Sequence, residues 1–518
     1  MPVMNAIRAG RLATAMLLGL TLPLAAQEGH HGGPERPQPT RPQGPEGRRL
    51  PPDSMTDQTV TLPDGRKLEF TATAGSLPLV DEGGKLQAEI GYIAFTRPAD
   101  DGRERPITFA INGGPGAASA YLNIGAIGPW RLPIGKNSIS PSQDVGLVPN
   151  DGTWLDFTDL VFIDPVGTGY SRAADGDAKK YWSVDTDASI LAAVIARYLR
   201  VNGRMASPKF YVGESYGGFR GPLIAGKLQE EIGVGLSGMV LLSPVLDFAW
   251  LERPRTDPWS FVLRLPSLAA TGLERSGQTP SQSALAPAEE YATGSYLADL
   301  LKGPGDADAV GRITDRLAGL TGLDRDFLRR QAGRPSSRGV QRELDKSAGR
   351  VTSLYDTGIT GWDPDPDSLH SGFEDPQLTA LQAPLTSAML DLYARTLKWP
   401  VPNQRYELLN TAVNRGWTWG SGRQAPEVLS NLKGALSLDG KLRVLVAHGA
   451  TDLVTPYFAS KLELSQVPPY GGGRLGLSVY PGGHMFYFRS ASRAALHQDA
   501  AALYSAAIAD RQAVPTSR

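Results

Sequence analysis

The sequence predicts an α/β fold built on a mostly parallel sheet, and three observations predict it. First, six short apolar runs end in glycine or proline: ITFAINGG (107–114), LVFIDPVGTG (160–169), KFYVG (209–213), LSGMVLLSP (236–244), KLRVLVAHG (441–449) and RLGLSVYPGG (474–483). Continuous apolarity is the mark of strands covered on both faces. Second, helical patterns lie between several of these runs. The stretch 183–199 carries Val184, Ile190, Leu191, Val194, Ile195 and Leu199 on one face, and 222–232 reads as a helix after the third run. Third, strand and helix alternate along the chain, as a parallel sheet with crossover helices requires.

The elements follow in order. Arg8 and Arg11 precede the apolar run LATAMLLGLTLPLAA (12–26). A basic start, about fifteen apolar residues and a small-residue end describe a secretory signal peptide, so 1–26 is expected to direct export. The run is too short for a comfortable membrane span. Residues 27–58 are rich in Pro, Gly and charge and hold almost no large apolar residues. Such a segment cannot offset chain entropy by burial and reads as a disordered linker, with His30 and His31 solvated.

Residues 59–250 form the first part of the expected core. TVTLPDGRKLEF reads as a hairpin around Pro63-Asp64-Gly65, and KLQAEIGYIAFTR as a further strand after Gly83-Gly84. The alternation breaks over 251–402, where helical patterns such as DADAVGRITDRLAGL and LTSAMLDLYARTL are joined by Pro- and Gly-rich stretches. A largely helical insertion is expected there, over the C-terminal edge of the sheet, where ligands bind in open α/β folds. Residues 403–511 complete the core.

Composition narrows the chemistry. The 518 residues include no cysteine, which excludes disulfides, thiolate metal sites and a cysteine nucleophile. The formal net charge is −1. Neither a nucleic-acid partner nor an anionic membrane is indicated, and no stable membrane association is expected after signal cleavage. No metal-ligand spacing appears, and no cofactor is expected.

The chemistry centres on KFYVGESYGG (209–218), a strand running into Gly213-Glu214-Ser215-Tyr216-Gly217 and then a helix. G-x-S-x-G at a strand-to-helix turn exposes a serine hydroxyl, and the flanking glycines avoid collisions in the tight turn. This context predicts an α/β-hydrolase with Ser215 as nucleophile. The partners should follow in the order Ser, acid, His. Asp452, after the fifth apolar run, is the expected acid, with Asp247 the competitor. His484, in VYPGGHMFY past the last strand, is the expected base. Two backbone amides, those of Tyr216 and of Gly114 in Asn112-Gly113-Gly114-Pro115-Gly116, are expected to form the oxyanion hole.

INGGPGAAS, FIDPVGTGYS, GESYGG, the Asp452 segment and GGHMFY occur in that order and resemble the serine carboxypeptidases. The resemblance covers roughly residues 85–250 and 400–510. It implies an α/β-hydrolase fold with a helical insertion, and release of single residues from peptide C-termini through an acyl-enzyme without metal or cofactor. It also implies that Glu214 and Asn112, helped by Gly113 N–H, bind the free terminal carboxylate of a peptide substrate. A carboxyl group beside another in a desolvated site is neutralised, its pKa raised above about 4.3. Protonated Glu214 would then donate a hydrogen bond rather than repel. The other use of Glu214 is an ion pair with Arg220 that packs the turn.

Two departures stand out. Where the family commonly has E-L-G-P, this chain has Ala126-Ile127-Gly128-Pro129, and where it often has G-C-S-S, this chain has Gly116-Ala117-Ala118-Ser119. The first removes one acidic partner from the carboxylate site. The second fits a disulfide-free bacterial branch. Trp417 and Trp419 either line the cleft or pack the core. Two other uses of the same motifs are an esterase or acyltransferase on the same triad, and a catalytically silent binding protein.

Overall fold

The computed structural model describes residues 49–99, 104–134, 139–251, 253–420, 422 and 424–512. The expected signal peptide, and the expected linker up to residue 48, lie outside the described residues. Among the described residues, ten strands form one sheet. Nine lie along its main path: β1 (Ser54–Thr61), β2 (Lys67–Val80), β3 (Leu86–Thr96), β4 (Ile107–Ile111), β5 (Asp159–Ile163), β6 (Lys209–Glu214), β7 (Gly238–Leu242), β8 (Arg443–Gly449) and β9 (Leu475–Tyr480). Their spatial order is β1-β2-β3-β5-β4-β6-β7-β8-β9.

The first three strands form an antiparallel meander, and β3 also meets β5 antiparallel. From β5 to β9 every pairing is parallel. These six strands coincide with the six apolar runs. β1 begins at Ser54, inside the segment expected to be linker, which corrects that boundary. Its residues 54–58 pair in register with 70–74 of β2. A polar, alternating edge strand carries little apolar signal, so composition alone did not mark it.

Side chains alternate across the sheet, as the two-residue strand period demands. On β6, Phe210 and Val212 pack into one apolar layer and Tyr211 into the other. Helices cover both faces. On one side lie α1 (Val184–Val201), whose N-cap Ser183 accepts a hydrogen bond from Thr186 N–H, and α2 (Tyr216–Lys227). α2 starts six residues earlier than the pattern at 222–232 predicts and carries Pro222 inside it. Pro222 has no N–H to offer the carbonyl four residues back, so that hydrogen bond is lost while the helix continues.

The insertion contains α3 (Trp259–Arg275), α4 (Gln282–Tyr291), α5 (Ala307–Thr321) and α6 (Leu378–Asp391), several shorter helical turns, and a small two-stranded sheet, Arg350–Thr352 with Thr360–Trp362. Its own apolar cluster, including Phe261, Leu265, Ile313 and Leu317, extends onto Leu453, Tyr457 and Phe458. Those residues lie just past the C-terminal end of β8, on the loop into α7 (Tyr457–Leu464) and on that helix itself. The chain ends in α8 (Ser490–Gln512), which follows β9. No helix among the described residues is long and apolar enough to cross a membrane.

Candidate active site

Ser215 sits between β6 and α2 with φ 57° and ψ −122°. A non-glycine residue there is strained, and the surroundings must enforce it. They do so by close approach. A Cβ at Gly213 would lie 2.1 Å from Gly217 O, and one at Gly217 would lie 2.3 Å from Ile111 O. Ser215 N–H donates to Leu242 O at 2.8 Å, tying the turn to the end of β7.

Ser215 and His484 line the same cleft, of about 290 Å³. Behind His484 lies Asp452, fully buried, with its Oδ2 2.7 Å from His484 Nδ1. Asp452 Oδ1 accepts from Val454 N–H at 2.8 Å and Thr455 N–H at 3.0 Å, a turn that fixes the carboxylate's rotamer. The Thr455 hydroxyl is 2.7 Å from Asp452 Oδ2, 3.0 Å from Ser243 O and 3.0 Å from His484 Nδ1. Sequence reasoning missed Thr455; the D-x-x-T spacing after β8 was its signal.

Burial pulls the His484 pKa down, but the charge and hydrogen bond of Asp452 outweigh it, and the net shift is upward. The His484 main chain is pinned on both sides. Its N–H donates to Tyr355 O at 2.5 Å, and its carbonyl accepts from Ser243 Oγ at 2.8 Å. Asp247, the competing acid, is half-buried. Its Oδ1 accepts from Ala249 N–H at 2.7 Å, and no bond to His484 is recorded among the described residues.

The glycine-rich loop after β4 runs directly over the serine turn. A Cβ at Gly113 would lie 2.6 Å from both Glu214 O and Tyr216 N, so the two segments touch backbone to backbone. Tyr216 is the first residue of α2, where an N–H has no intrahelical acceptor. Gly114 has φ +101° and lines the cleft. The loop is anchored from below by Asp164 of FIDPVGTGYS, whose Oδ1 accepts from Ser119 N–H at 2.8 Å.

Glu214 is buried and lines the cleft. Asn112 Nδ2 donates to its Oε2, and Asn112 Oδ1 accepts from Leu122 N–H at 3.0 Å, which orients the amide. Burial pushes the Glu214 carboxyl up to about 7, against the opposing pull of His484, Tyr487 and Asn112. Arg220 is not its partner. The guanidinium pairs with buried Asp187, Nε to Oδ2 at 2.6 Å, and donates to Asn112 O at 2.5 Å. Arg220 also lies over the Tyr216 ring, 4.6 Å from its centroid.

Trp417 and Trp419 do not line this cleft; both pack edge-on against Tyr216. The walls instead include Tyr121, Leu409, Val454 and Met485, with Tyr355 and Leu378 from the insertion. The insertion was expected over this edge of the sheet but carried no motif, so the sequence did not name which of its residues would form the walls.

A mostly parallel sheet, a strained serine at a strand-to-helix turn, and an Asp–His pair supplied in that chain order define an α/β-hydrolase fold. Residues 67–250 match the family model described as serine carboxypeptidase. That segment, about a third of the chain, is similar to the serine carboxypeptidases. It contains Asn112, Glu214 and Ser215 and stops short of Asp452 and His484.

Among curated relatives, the pheromone-processing carboxypeptidase of Yarrowia lipolytica is 32% identical over 142 residues, 27% of this chain and 21% of that protein. The retinoid-inducible serine carboxypeptidase of Rattus norvegicus is 30% identical over 160 residues, 30% of this chain and 32% of that protein. The matched segment thus spans between a fifth and a third of these relatives. Among solved structures, the juvenile hormone epoxide hydrolase of the silkworm Bombyx mori covers 86% of this chain and 80% of its own, at 14% identity and a TM-score of 0.35.

Proposed function

We propose that the protein is an exported serine carboxypeptidase that removes the C-terminal residue of peptides through an acyl-enzyme. One observation carries the reading: the Asp452–His484 pair at 2.7 Å borders the same cleft as Ser215, Glu214 and Asn112. Nucleophile, base and a neutralised carboxyl therefore share one small site.

Asp452 holds Nδ1–H, which leaves Nε2 as the base. As Ser215 Oγ bonds to the scissile carbonyl carbon, His484 Nε2 takes its proton. The carbonyl oxygen becomes an oxyanion held by the N–H groups of Gly114 and Tyr216. The tetrahedral intermediate collapses, the C–N bond breaks, and His484 returns the proton to the departing amine. Water then repeats the sequence on the acyl-enzyme, which releases the shortened peptide and restores the Ser215 hydroxyl. Asn112, Gly113 N–H and protonated Glu214 hold the terminal carboxylate. That contact selects the last peptide bond of the chain.

Export rests on the basic and apolar residues of 1–26, and the destination is the periplasm or the medium.

The test compares N-benzoyl-phenylalanyl-leucine with its C-terminal amide, with Ser215→Ala as blank. The proposal requires strong preference for the free acid and loss of all turnover in Ser215→Ala. Equal turnover of acid and amide, or turnover of simple esters alone, assigns the triad to an esterase or acyltransferase. No turnover together with no labelling of Ser215 by a fluorophosphonate assigns a binding protein.

A further inference from the structure

Two buried phenol groups lie near Glu214, and only one has a partner. The Tyr487 hydroxyl interacts with the Glu214 carboxyl, whereas the Tyr121 hydroxyl, on an equally buried ring, has no hydrogen-bond partner among the described residues. Burying a hydroxyl without an acceptor loses its hydration and gains nothing. Such a group near a candidate site calls for a ligand.

The two hydroxyls differ in access. Tyr121 lines the cleft with Asn112, Gly113, Glu214 and Ser215, whereas Tyr487 is not among the lining residues. Tyr121 is positioned by the same turn that orients Asn112. It lies in the short Ala120–Leu122 helix, and Leu122 N–H bonds Asn112 Oδ1. Burial, with Glu214 and Tyr355 adding to it, raises the Tyr121 pKa, so the phenol keeps its proton. A phenol that keeps its proton in a cleft is a donor awaiting an acceptor. Tyr355 also faces Glu214 and lines the cleft, but its hydroxyl is not among the unpartnered groups.

We propose that the Tyr121 hydroxyl is a further substrate-binding group, donating a hydrogen bond to the terminal carboxylate of the peptide beside Asn112 and Glu214. This rests on the carboxypeptidase reading above. Glu214 and Asn112 bond each other, so an arriving carboxylate with two oxygens has acceptor sites to spare. The Tyr121 phenol supplies a donor from a second direction. Tyr487, which interacts with the Glu214 carboxyl and is not among the residues that line the cleft, is already engaged.

The test uses the full-length protein with Ser215→Ala, which binds without cleaving. N-benzoyl-phenylalanyl-leucine and its C-terminal amide are titrated calorimetrically, with and without Tyr121→Phe. A hydrogen bond to a charged group predicts a loss of roughly ten- to hundredfold in affinity for the acid. The amide should bind unchanged. Equal weakening of acid and amide, or no weakening, overturns the proposal. Should the Phe variant fail to fold, Tyr121→Met lacks the same hydroxyl and must show the same selective loss. If the Ser215→Ala parent already binds acid and amide equally, the carboxylate-binding reading itself falls. If the parent prefers the acid and Tyr121→Phe leaves that preference intact, only the role of Tyr121 falls.

Discussion

Glu214 stands one residue before a nucleophile that passes its charge to an oxyanion, and its protonation state decides whether it helps or hinders. Its carboxyl is pushed to about 7 by burial, well above the ordinary value of 4.5. Below about 7 it is neutral and can donate; above, it repels a carboxylate. We expect kcat/KM for a free-acid peptide to fall as pH rises through about 7. For an ester lacking a carboxylate it should keep rising as His484 loses its proton. A pH–rate profile on both substrates checks this, and Glu214→Gln should remove the falling limb. The same shift bears on stability. A carboxyl whose folded pKa is raised holds its proton longer in the native state, so its contribution is full below about 4.5 and lost as pH rises through about 7. Glu214→Gln is therefore expected to stabilise the protein above pH 7, by roughly 3 kcal/mol at most, read from thermal melts across pH. Asp452 tests the base in the same way. Asp452→Asn keeps the volume but loses the charge that raises His484, and kcat should drop on the order of 10³–10⁴-fold with the fold intact by circular dichroism.

At the scale of elements, the site is a contact between two turns, the loop after β4 and the turn after β6. Gly113 is where they touch. Gly113→Ala puts a methyl 2.6 Å from two backbone atoms that have no side-chain freedom to yield. The loop must lift, carrying Gly114 N–H and Asn112 away from the serine turn. We expect kcat to fall by about 10²–10³-fold, as when an oxyanion donor is removed, for ester and peptide substrates alike. Steady-state kinetics on both checks this. A loss confined to free-acid peptides would instead assign Gly113 to carboxylate binding alone. These turns were legible in sequence because glycine clusters at strand ends carry a strong local signal. The first half of β1 was not, because residues 54–58 are mostly polar and fell within the Pro-, Gly- and charge-rich segment, although the hairpin that ends the strand was legible. Tyr121 and Tyr355 escaped for a different reason. A lone tyrosine has a use only once a second segment is brought beside it, and no spacing rule records that meeting.

At the scale of the whole molecule, the insertion reaches the catalytic machinery through the histidine loop. Tyr355 O holds His484 N–H, and the next residue, Asp356, pairs with Arg489 five residues past the histidine, Oδ1 to Nη2 at 2.7 Å. Arg489 also grips Glu274 of α3, Nη1 to Oε1 at 2.6 Å and Nη2 to Oε2 at 3.0 Å. One guanidinium thus links two segments of the insertion to the segment that carries the base. Two carboxylates on one fork match the planar donor geometry of arginine, which a lysine cannot reproduce. Because nearly a third of the Arg489 side chain is exposed, solvent screens part of the interaction. Arg489→Ala should cost about 1–3 kcal/mol, less than a fully buried pair would lose. If the insertion also sets the position of His484, kcat must fall with the stability, equally for ester and peptide, while KM stays near its wild-type value. Arg489→Lys should then recover part of the melting temperature and little of the kcat. Thermal unfolding and steady-state kinetics on the two variants separate the outcomes. A lower melting temperature with kcat intact would mean that the contacts of His484 N–H with Tyr355 O and of His484 O with Ser243 Oγ hold the base by themselves, and that the Arg489 link adds stability without tuning the chemistry.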